Sequence, residues 1–276
     1  YDNLAWEGDP VYNHNGSKIY YATESKNAFS ARYISLHVMD ADGGNVLKLT
    51  ETADAKDPSV SPDGTKMAYV SRLAGNYDVW VMDLDGSNNV QITDSTGDES
   101  SPSWHPGGSK LLYSLDGDIV VQGIDAVEPV VLLDNSNDNV EPAYSPDGKS
   151  IVYSSDQGGD YDLWIMDSAG KSFTMLTTVE SNERAPAWSP DGSKIAYVSN
   201  KDGNYNIWLM TLSSGVAEFE DYEVQDAGVE QKPLNPYINQ IRIFATENPR
   251  AFILSVLILS FVIVSSLVYS FLRKIH

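Results

Sequence analysis

The side chains best suited to chemistry in this sequence are carboxylates, which recur in closely spaced pairs. The pairs come just before or within proline-marked segments, and their members are Asp54, Asp57, Asp98, Glu99, Asp138, Glu141, Glu180 and Glu183. Carboxylates at this density create a negative potential that attracts cations or a basic peptide. The alternative is an acidic surface that only keeps the protein soluble. Whether the pairs act together depends on whether the fold brings them to one face.

The sequence lacks the motifs that commonly mark an enzyme or a metal site. It has no cysteine, which excludes disulfides and a cysteine nucleophile, and no Gly-x-Ser-x-Gly, His-Glu-x-x-His or Gly-Lys-Ser/Thr motif. His14, His37 and His105 do not all fall in one repeat, and we do not expect them to share a metal site. The Asp-rich turns at residues 40–43 and 83–86 lack the closing Glu of an EF-hand loop. We predict no enzyme and no cofactor, with Ca²⁺ at these turns as the alternative.

Five similar units fill the sequence up to residue 212. Each has an early proline, and these prolines are Pro10, Pro58, Pro102, Pro142 and Pro186. A tight turn follows each proline, written Ser-Pro-Asp-Gly at residues 61–64, 145–148 and 189–192 and less regularly at 13–16 and 105–108. Apolar segments of strand length come next, such as residues 66–71 and 77–83, with Gly-Asn or Asp-Gly turns between them. Each unit therefore predicts four antiparallel strands.

The third strand of each unit must be covered on both faces. In residues 77–83, Val79 and Val81 point one way while Trp80 and Met82 point the other. Radial packing covers both faces, because each sheet then lies between two neighbours. We predict an all-β fold, a five-bladed β-propeller of four-stranded antiparallel blades over residues 1–212, with six blades as the less favoured alternative. In that fold the loops that carry the acidic pairs share one face.

The repeated pattern Ser-Pro-Asp-Gly-x-Lys-Ile-Ala-Tyr, then Tyr-Asp-x-Trp-x-Met-Asp, then Leu/Ile-Thr, resembles the TolB-type β-propeller repeat over residues 5–212. The chain looks like a membrane-anchored surface member of that family. The resemblance implies the fold; for function it implies a range, from interaction modules of bacterial envelopes and archaeal surface proteins to propellers fused to peptidases. TolB itself is similar to a six-bladed propeller, whereas this chain has five units. We expect residues 1–6 to complete the fifth blade, with residues 216–219 as the alternative.

The C-terminal part of the chain predicts a membrane anchor. Residues 251–272 carry no charge and would form a helix about 33 Å long, which matches a hydrocarbon core of about 30 Å. We place an acidic linker at residues 213–233, a juxtamembrane segment with the spacing of an interfacial helix at 234–249, and a transmembrane helix at 250–273. The predicted anchor residues are Ala251, Leu254, Leu257, Phe261, Val264, Val268 and Leu272.

The basic residues Arg273 and Lys274 indicate the orientation of this helix. They favour a cytoplasmic tail at residues 274–276 and an extracytoplasmic propeller. Translocation requires a signal peptide, which we expect to have been removed or left out of the sequence. The net charge of −21 argues against a nucleic-acid partner. Asn15 begins an Asn-Gly-Ser sequon and is a candidate glycosylation site.

These features together favour a non-catalytic protein-interaction module. The expected role is that of an accessory or structural subunit of a membrane or cell-envelope complex. Its expected partners are other subunits of that complex, contacted through the transmembrane helix and the propeller, and membrane lipid. One alternative is a stand-alone surface-layer or adhesion protein that binds carbohydrate or another cell. A second alternative is a propeller enzyme, a lyase or a hydrolase.

Overall fold

The computed structural model describes residues 7–26, 32–51, 54–178 and 180–212. These residues form nineteen β-strands in five antiparallel sheets. The strands are β1 (Glu7–Tyr12), β2 (Lys18–Lys26), β3 (Arg32–Asp40), β4 (Leu47–Lys48), β5 (Ala55–Val60), β6 (Lys66–Ser71), β7 (Asp78–Asp83), β8 (Val90–Gln91), β9 (Glu99–Trp104), β10 (Lys110–Leu115), β11 (Asp118–Gly123), β12 (Val130–Leu133), β13 (Asn139–Tyr144), β14 (Ser150–Ser155), β15 (Asp162–Asp167), β16 (Phe173–Met175), β17 (Glu183–Trp188), β18 (Lys194–Ser199) and β19 (Asn206–Thr211).

Each sheet is one blade of a propeller. Blades one to four contain four strands each, in chain order from the inner strand to the outer strand, and the described part of blade five contains β17, β18 and β19. The predicted all-β five-bladed propeller with four-stranded antiparallel blades is confirmed. The second and third strands of every blade pair residue by residue, as in β6 and β7 from Lys66↔Asp83 to Ser71↔Asp78.

Several sequence predictions concern residues outside the described ranges. The linker at 213–233, the juxtamembrane segment at 234–249, the transmembrane helix at 250–273 and the tail at 274–276 all lie there. Within the described ranges, no helix is long and apolar enough to cross a membrane.

The Ser-Pro-Asp-Gly turns fix the reversal between the inner and second strands. In the fourth blade, Ser145 Oγ donates to Asp147 Oδ1 at 2.7 Å and accepts from the Ser150 N–H at 3.0 Å. Gly148 has a φ of 70°, and a Cβ on it would lie 2.8 Å from Nε2 of His105 in the preceding blade. Both the left-handed conformation and the close neighbour require glycine at this position.

The hydrophobic core lies between the blades. Val79 and Val81 of β7 pack against Trp104 and Tyr113 of the third blade. Met82, on the opposite side of the same strand, packs into the cluster shared with the first blade. Radial packing therefore explains why the third strands are apolar on both faces.

Every inner strand contains a β-bulge, a local irregularity in its pairing with the second strand. In each strand the residue just before the proline has a positive φ, between 51° and 56°, and these residues are Asp9, Asp57, Ser101, Glu141 and Ala185. Inner strands of consecutive blades contact one another, so the bulges follow one another around the axis of the ring. A bulge changes the direction in which its side chain points, and here the side chains at the bulges point between adjacent inner strands.

Closure of the ring between the fifth and first blades involves the ends of the repeat region. Among the described strands, none of the first blade contacts one of the fifth. Residues 1–6 and 216–219, the two predicted sources of the missing strand, lie outside the described ranges. In the other blades the inner strand begins six to eight residues after the preceding outer strand ends, as from Leu133 to Asn139. That residues 1–6 complete the fifth blade stays a prediction.

Candidate functional site on the upper face

The upper face of the propeller is defined here as the side where the inner strands begin and the second strands end. Because neighbouring strands are antiparallel, the connection that enters an inner strand lies beside the turn between that blade's second and third strands. All eight predicted acidic residues belong to these connections or to the first three residues of an inner strand. The structure brings them to one end of the ring but gives them different environments.

Three residues that immediately precede an inner strand join consecutive blades. They are Asp54, Asp98 and Asn182, and each side-chain Oδ1 accepts a backbone hydrogen bond from the third strand of the preceding blade, or from the residue just before that strand. The donors are the N–H groups of Ile34, Tyr77 and Tyr161, at 2.8, 2.8 and 3.3 Å. Asp54 and Asp98 therefore have a structural role that the sequence analysis did not foresee, and Asn182 shares it although it carries no charge.

Glu99 and Glu183, the first residues of β9 and β17, do not lie on an exposed rim. Their exposures are 1% and 0%. Glu99 accepts hydrogen bonds from Ser95 Oγ at 2.6 Å and from Thr93 Oγ1 at 3.2 Å. Burial raises the pKa of Glu99 to about 7. The preceding blade covers this side of the inner strand, so both residues are removed from any surface that meets a ligand.

Acidic residues at the bulges link inner strands to one another. Asp57 Oδ2 accepts from the Ser101 N–H at 3.0 Å, and Asp9 Oδ2 accepts from the Asp57 N–H at 3.4 Å. Burial, together with the nearby Asp57 charge, raises the pKa of Asp9 to about 7. The sequence analysis missed Asp9, although its place directly before Pro10 matches that of Asp57 before Pro58.

Glu141 forms the most extensive of these links. Its Oε2 accepts from the Ala185 N–H at 2.6 Å and from Ser154 Oγ at 3.1 Å, and its Oε1 lies 3.3 Å from Arg184 Nη2. The Arg184 guanidinium also stacks over the Tyr161 ring, 4.2 Å from its centroid. This cluster joins the fourth and fifth blades at the mouth of the ring through one charge pair and several hydrogen bonds.

Fewer of the eight predicted acidic residues are exposed than the sequence suggested, but other exposed carboxylates lie on the same face. Asp98, Asp138 and Glu180 are exposed. The Tyr161 hydroxyl donates to Asp138. The exposed carboxylates on the same face that the sequence analysis missed include Asp94, Asp160 and Asp202. Asp160 and Asp202 lie in second-to-third-strand turns, which the propeller fold places beside the predicted loops. That these exposed carboxylates bind a basic peptide or a cation remains a prediction.

The first blade departs from the repeat on the upper face. Strands β2 and β3 have nine residues each, whereas the second and third strands of the other four blades have six. Their pairing continues to Lys26↔Arg32, beyond Thr23, where pairing with β1 ends. Arg32 forms an ion pair with Glu24 at 2.8 Å in this extension. The sequence indicates this longer hairpin, because Pro10 and Pro58 are 48 residues apart whereas the other repeats span 40 to 44 residues.

Comparison with known proteins settles the family. The TolB beta propeller domain matches residues 11–160 and, in a second overlapping match, residues 76–229. The chain belongs to the TolB β-propeller domain family. The resemblance inferred from the repeat motif is confirmed.

Individual relatives of this TolB-type propeller match only part of the chain. The Tol-Pal system protein TolB of Alcanivorax borkumensis is 30% identical over 104 residues, which cover 37% of this chain and 24% of that protein. The uncharacterized protein Atu1656 of Agrobacterium fabrum is 34% identical over 86 residues, 30% of this chain and 29% of that protein. The chain thus matches less than a third of the length of either relative.

Solved structures support the same fold. TolB from Acinetobacter baumannii is similar with a TM-score of 0.64 and 26% identity, over 75% of this chain and 53% of that one. An oligogalacturonate lyase from Vibrio parahaemolyticus has a TM-score of 0.53 and 17% identity, over 73% of this chain and 63% of that one, which shows a common fold alone.

His105 and His37 of this TolB-type propeller occupy packing positions. His105 lies edge-on to Tyr144, with ring centroids 5.0 Å apart. His37 Nε2 is 3.1 Å from Ser35 Oγ, and burial, assisted by Lys48, lowers the pKa of His37. In the part of the chain that the structure describes, no three His, Asp or Glu side chains form a group that could hold a metal ion.

Three other positions considered in the sequence analysis lie in turns. Asp42 and Asp85, in the Asp-rich turns considered for Ca²⁺, each accept a backbone N–H through Oδ1 at 2.9 Å, from Gly44 and Ser87. These bonds are those of ordinary hairpin turns. Asn15 is exposed and its Oδ1 accepts the Ser17 N–H at 3.0 Å. Glycosylation of Asn15 remains a prediction.

Proposed function

We propose that this protein is a non-catalytic protein-interaction module that serves as an accessory or structural subunit of a cell-envelope membrane complex. Two of its relatives in sequence and structure are named TolB, and one of them is named as part of the Tol-Pal system. The proposal transfers from those names only the general role of a propeller that binds other envelope proteins. The feature of this chain that carries it is the upper face.

The upper face has the construction expected of a recognition surface. Hydrogen bonds from Asp54, Asp98 and Asn182 fix the connections between blades, so the loops start from a rigid base. The extended β2–β3 hairpin projects from that base as the one departure from the repeat among the described second and third strands. Function in propellers and other rigid scaffolds is commonly carried by loops held in this way.

The charge of this face selects the kind of partner. Exposed carboxylates from three consecutive blades point to a partner with a basic surface or a basic peptide, because opposite potentials guide association and suppress wrong partners. In this proposal the propeller is extracytoplasmic and a single helix at residues 250–273 holds it beside other membrane subunits. The uncharged stretch at 251–272 and the basic residues after it support this topology.

Affinity purification of the full chain from native membranes in mild detergent tests the proposal. We expect a stoichiometric partner, and we expect the double variant Glu180→Lys/Asp202→Lys to weaken its recovery because it reverses two exposed charges on the upper face. Glu128→Lys is the matched control, since Glu128 is exposed in the turn between β11 and β12 on the opposite side. A propeller recovered alone, or equal loss of partner in both variants, would contradict the proposal.

A further inference from the structure

Two carboxyl groups meet in the interior between the fourth and fifth blades. Asp162, at the start of β15, is 6% exposed, and Glu183, at the start of β17, is 0% exposed. The Glu183 N–H donates to the carbonyl oxygen of Tyr161, the residue before Asp162, at 2.6 Å, which brings the two acids to neighbouring positions. The charge of Glu183 and a hydrogen bond between the two side chains are among the causes that raise the pKa of Asp162. Ionised carboxylates are seldom buried without a cationic partner, because removing their charge from water costs far more than one hydrogen bond returns.

Hydroxyl groups satisfy two of the four oxygens in this pair. Ser199 Oγ donates to Glu183 Oε1 at 2.6 Å, and Ser181 Oγ donates to the same oxygen. Thr177 Oγ1 donates to Asp162 Oδ1 at 3.0 Å. Glu183 Oε2 is buried and has no hydrogen-bond partner. A carboxyl proton on Asp162 would supply a donor for this oxygen.

The charged groups around the pair do not neutralise it. Arg184 follows Glu183 in β17, but its guanidinium is engaged by Glu141 and the Tyr161 ring. From the turn after β18, Lys201 places its ammonium over the Trp208 ring at 3.4 Å. Asp160 adds a further negative charge from the fourth blade. On β18, the Glu183 charge, after burial, helps to raise the pKa of Tyr197 to about 12, so that phenol stays neutral.

We propose that Asp162 and Glu183 share one proton, and that this pair is a pH-sensitive lock between the fourth and fifth blades. With the proton present, Asp162 donates to Glu183 Oε2 and every oxygen of the pair that faces the interior is satisfied. Without it, two adjacent carboxylates repel each other in a site closed to water. The fifth blade is the last one before the linker at residues 213–233, so the lock sets how firmly the ring holds the blade nearest in sequence to the predicted anchor.

The electrostatic environment of Asp162 gives the direction of the pH dependence and the pH range over which it occurs. Burial, assisted by the charge of Glu183, raises the pKa of Asp162 from 3.8 to about 6. The folded protein therefore holds this proton in a range where the unfolded chain has lost it. Its stabilising effect is complete below about pH 4 and is lost as the pH rises to about 6.

The arrangement recurs at alternate blade interfaces. Asp78 and Glu99 occupy the equivalent positions between the second and third blades, and both are 1% exposed. Asp78 Oδ1 is also buried without a hydrogen-bond partner. The interface between the third and fourth blades has Asp118 and the neutral Asn139 in these positions, and the one between the first and second has Ser35 and Ala55. A repeated Asp–Glu pair therefore distinguishes two interfaces from the other two.

Thermal unfolding of the full chain in detergent, measured from about pH 4.5 to about pH 7.5, tests the lock. Asp162→Asn supplies a permanent donor in place of the proton. We expect the fall in Tm of the wild type over this range to shrink by about 4 °C in the variant, because the Asn amide needs no proton to donate. Asp118→Asn is the matched control: burial and the charges of Asp134 and Asp116 raise the pKa of Asp118, but the position equivalent to Glu183 holds the neutral Asn139, so this variant should reduce the fall by less than Asp162→Asn does.

Three results would overturn the proposal. One is a wild-type pH dependence that persists unchanged in Asp162→Asn. Another is an equal effect of Asp118→Asn. The third is a rise in wild-type Tm on adding CaCl₂ at about pH 7.5 that is absent in Asp162→Asn, which would assign a cation to the pair in place of the proton.

A second variant keeps the test decisive if Asp162→Asn does not fold. Glu183→Gln also removes one charge while keeping the side-chain shape, and it should reduce the pH dependence in the same way. Infrared difference spectra of the wild type between the same two pH values should contain a protonated-carboxyl band that disappears at the higher pH. That part of the band should be missing from Glu183→Gln and present in Asp118→Asn; the opposite pattern would refute the shared proton.

Discussion

Replacing Glu141 with alanine should separate a structural role of the upper-face acids from a binding role. Glu141 was predicted as a binding residue, but its carboxylate joins the fourth and fifth blades. Its Oε2 is the acceptor for the Ala185 N–H at 2.6 Å and for Ser154 Oγ at 3.1 Å. Alanine removes both hydrogen bonds and leaves the backbone N–H of Ala185, a bulge residue with a φ of 52°, without this acceptor.

The expected loss of stability can be worked from these contacts. An orphaned, partly buried N–H costs about 1–3 kcal/mol, and the freed Ser154 hydroxyl adds to this only if water cannot reach it. The ion pair to Arg184 adds about 0.5 kcal/mol or less, because the side chains of Glu141 and Arg184 are 26% and 36% exposed and water screens the pair. We therefore expect Glu141→Ala to lower the free energy of unfolding by about 2–3 kcal/mol. Glu141→Gln keeps a carbonyl oxygen for the Ala185 N–H and should cost about 1 kcal/mol.

Urea denaturation followed by tryptophan fluorescence measures these differences. Glu180→Ala is the control, because Glu180 is an exposed member of the same predicted set and its loss should change stability by less than about 0.5 kcal/mol. If Glu141→Ala unfolds at the wild-type urea concentration but loses its partner in the affinity purification, the structural interpretation is wrong and Glu141 is a binding residue.

Two further predictions test the turns and another buried acid. Gly170→Ala should destabilise the fourth blade by about 3 kcal/mol or more, because its new Cβ would lie 2.5 Å from the Leu132 carbonyl oxygen. Gly43 has a φ of 89°, and a Cβ on it would have no atom within 4 Å, so Gly43→Ala should cost only about 1 kcal/mol of conformational strain. Equal losses in urea denaturation would show that the close contact is not the cause. Burial raises the pKa of Glu99 to about 7, so its contribution to stability should fall as the pH rises from about 4.5 to about 7, and Glu99→Gln should reduce that fall in a pH series of Tm values. A steeper fall in Glu99→Gln than in the wild type would contradict this sign.

Local patterns in the sequence were sufficient to predict the strands and turns of the blades. Residues 66–71 were predicted as a second strand and form β6 with the same ends. The Asp85-Gly86 pair predicted a hairpin, and Gly86 has the positive φ that such a turn needs. These features depend on residues close together in the chain, so periodicity and turn chemistry carry enough information to place them.

The environments of the predicted site residues could not be found in the same way. Glu99 and Asp98 are neighbours in sequence, yet one is buried and the other is exposed. Successive residues at the start of an inner strand point to opposite sides, and here only the side of Glu99 is closed off from water. The partner of Asp98 is the Tyr77 N–H and that of Glu141 is the Ala185 N–H, which lie 21 and 44 residues away. Nothing in a local window connects such groups.

The sequence by itself determined the repeat, the strands, the turns and the family of this protein, and it predicts the membrane anchor. Each of these depends on short-range periodicity, turn residues or the summed hydropathy of one segment. The tertiary structure alone decided which carboxylates join blades, which remain exposed to a partner and which meet as a buried pair. The physical reason is that exposure and pKa are set by the neighbouring blade, whose residues approach only when the ring is assembled.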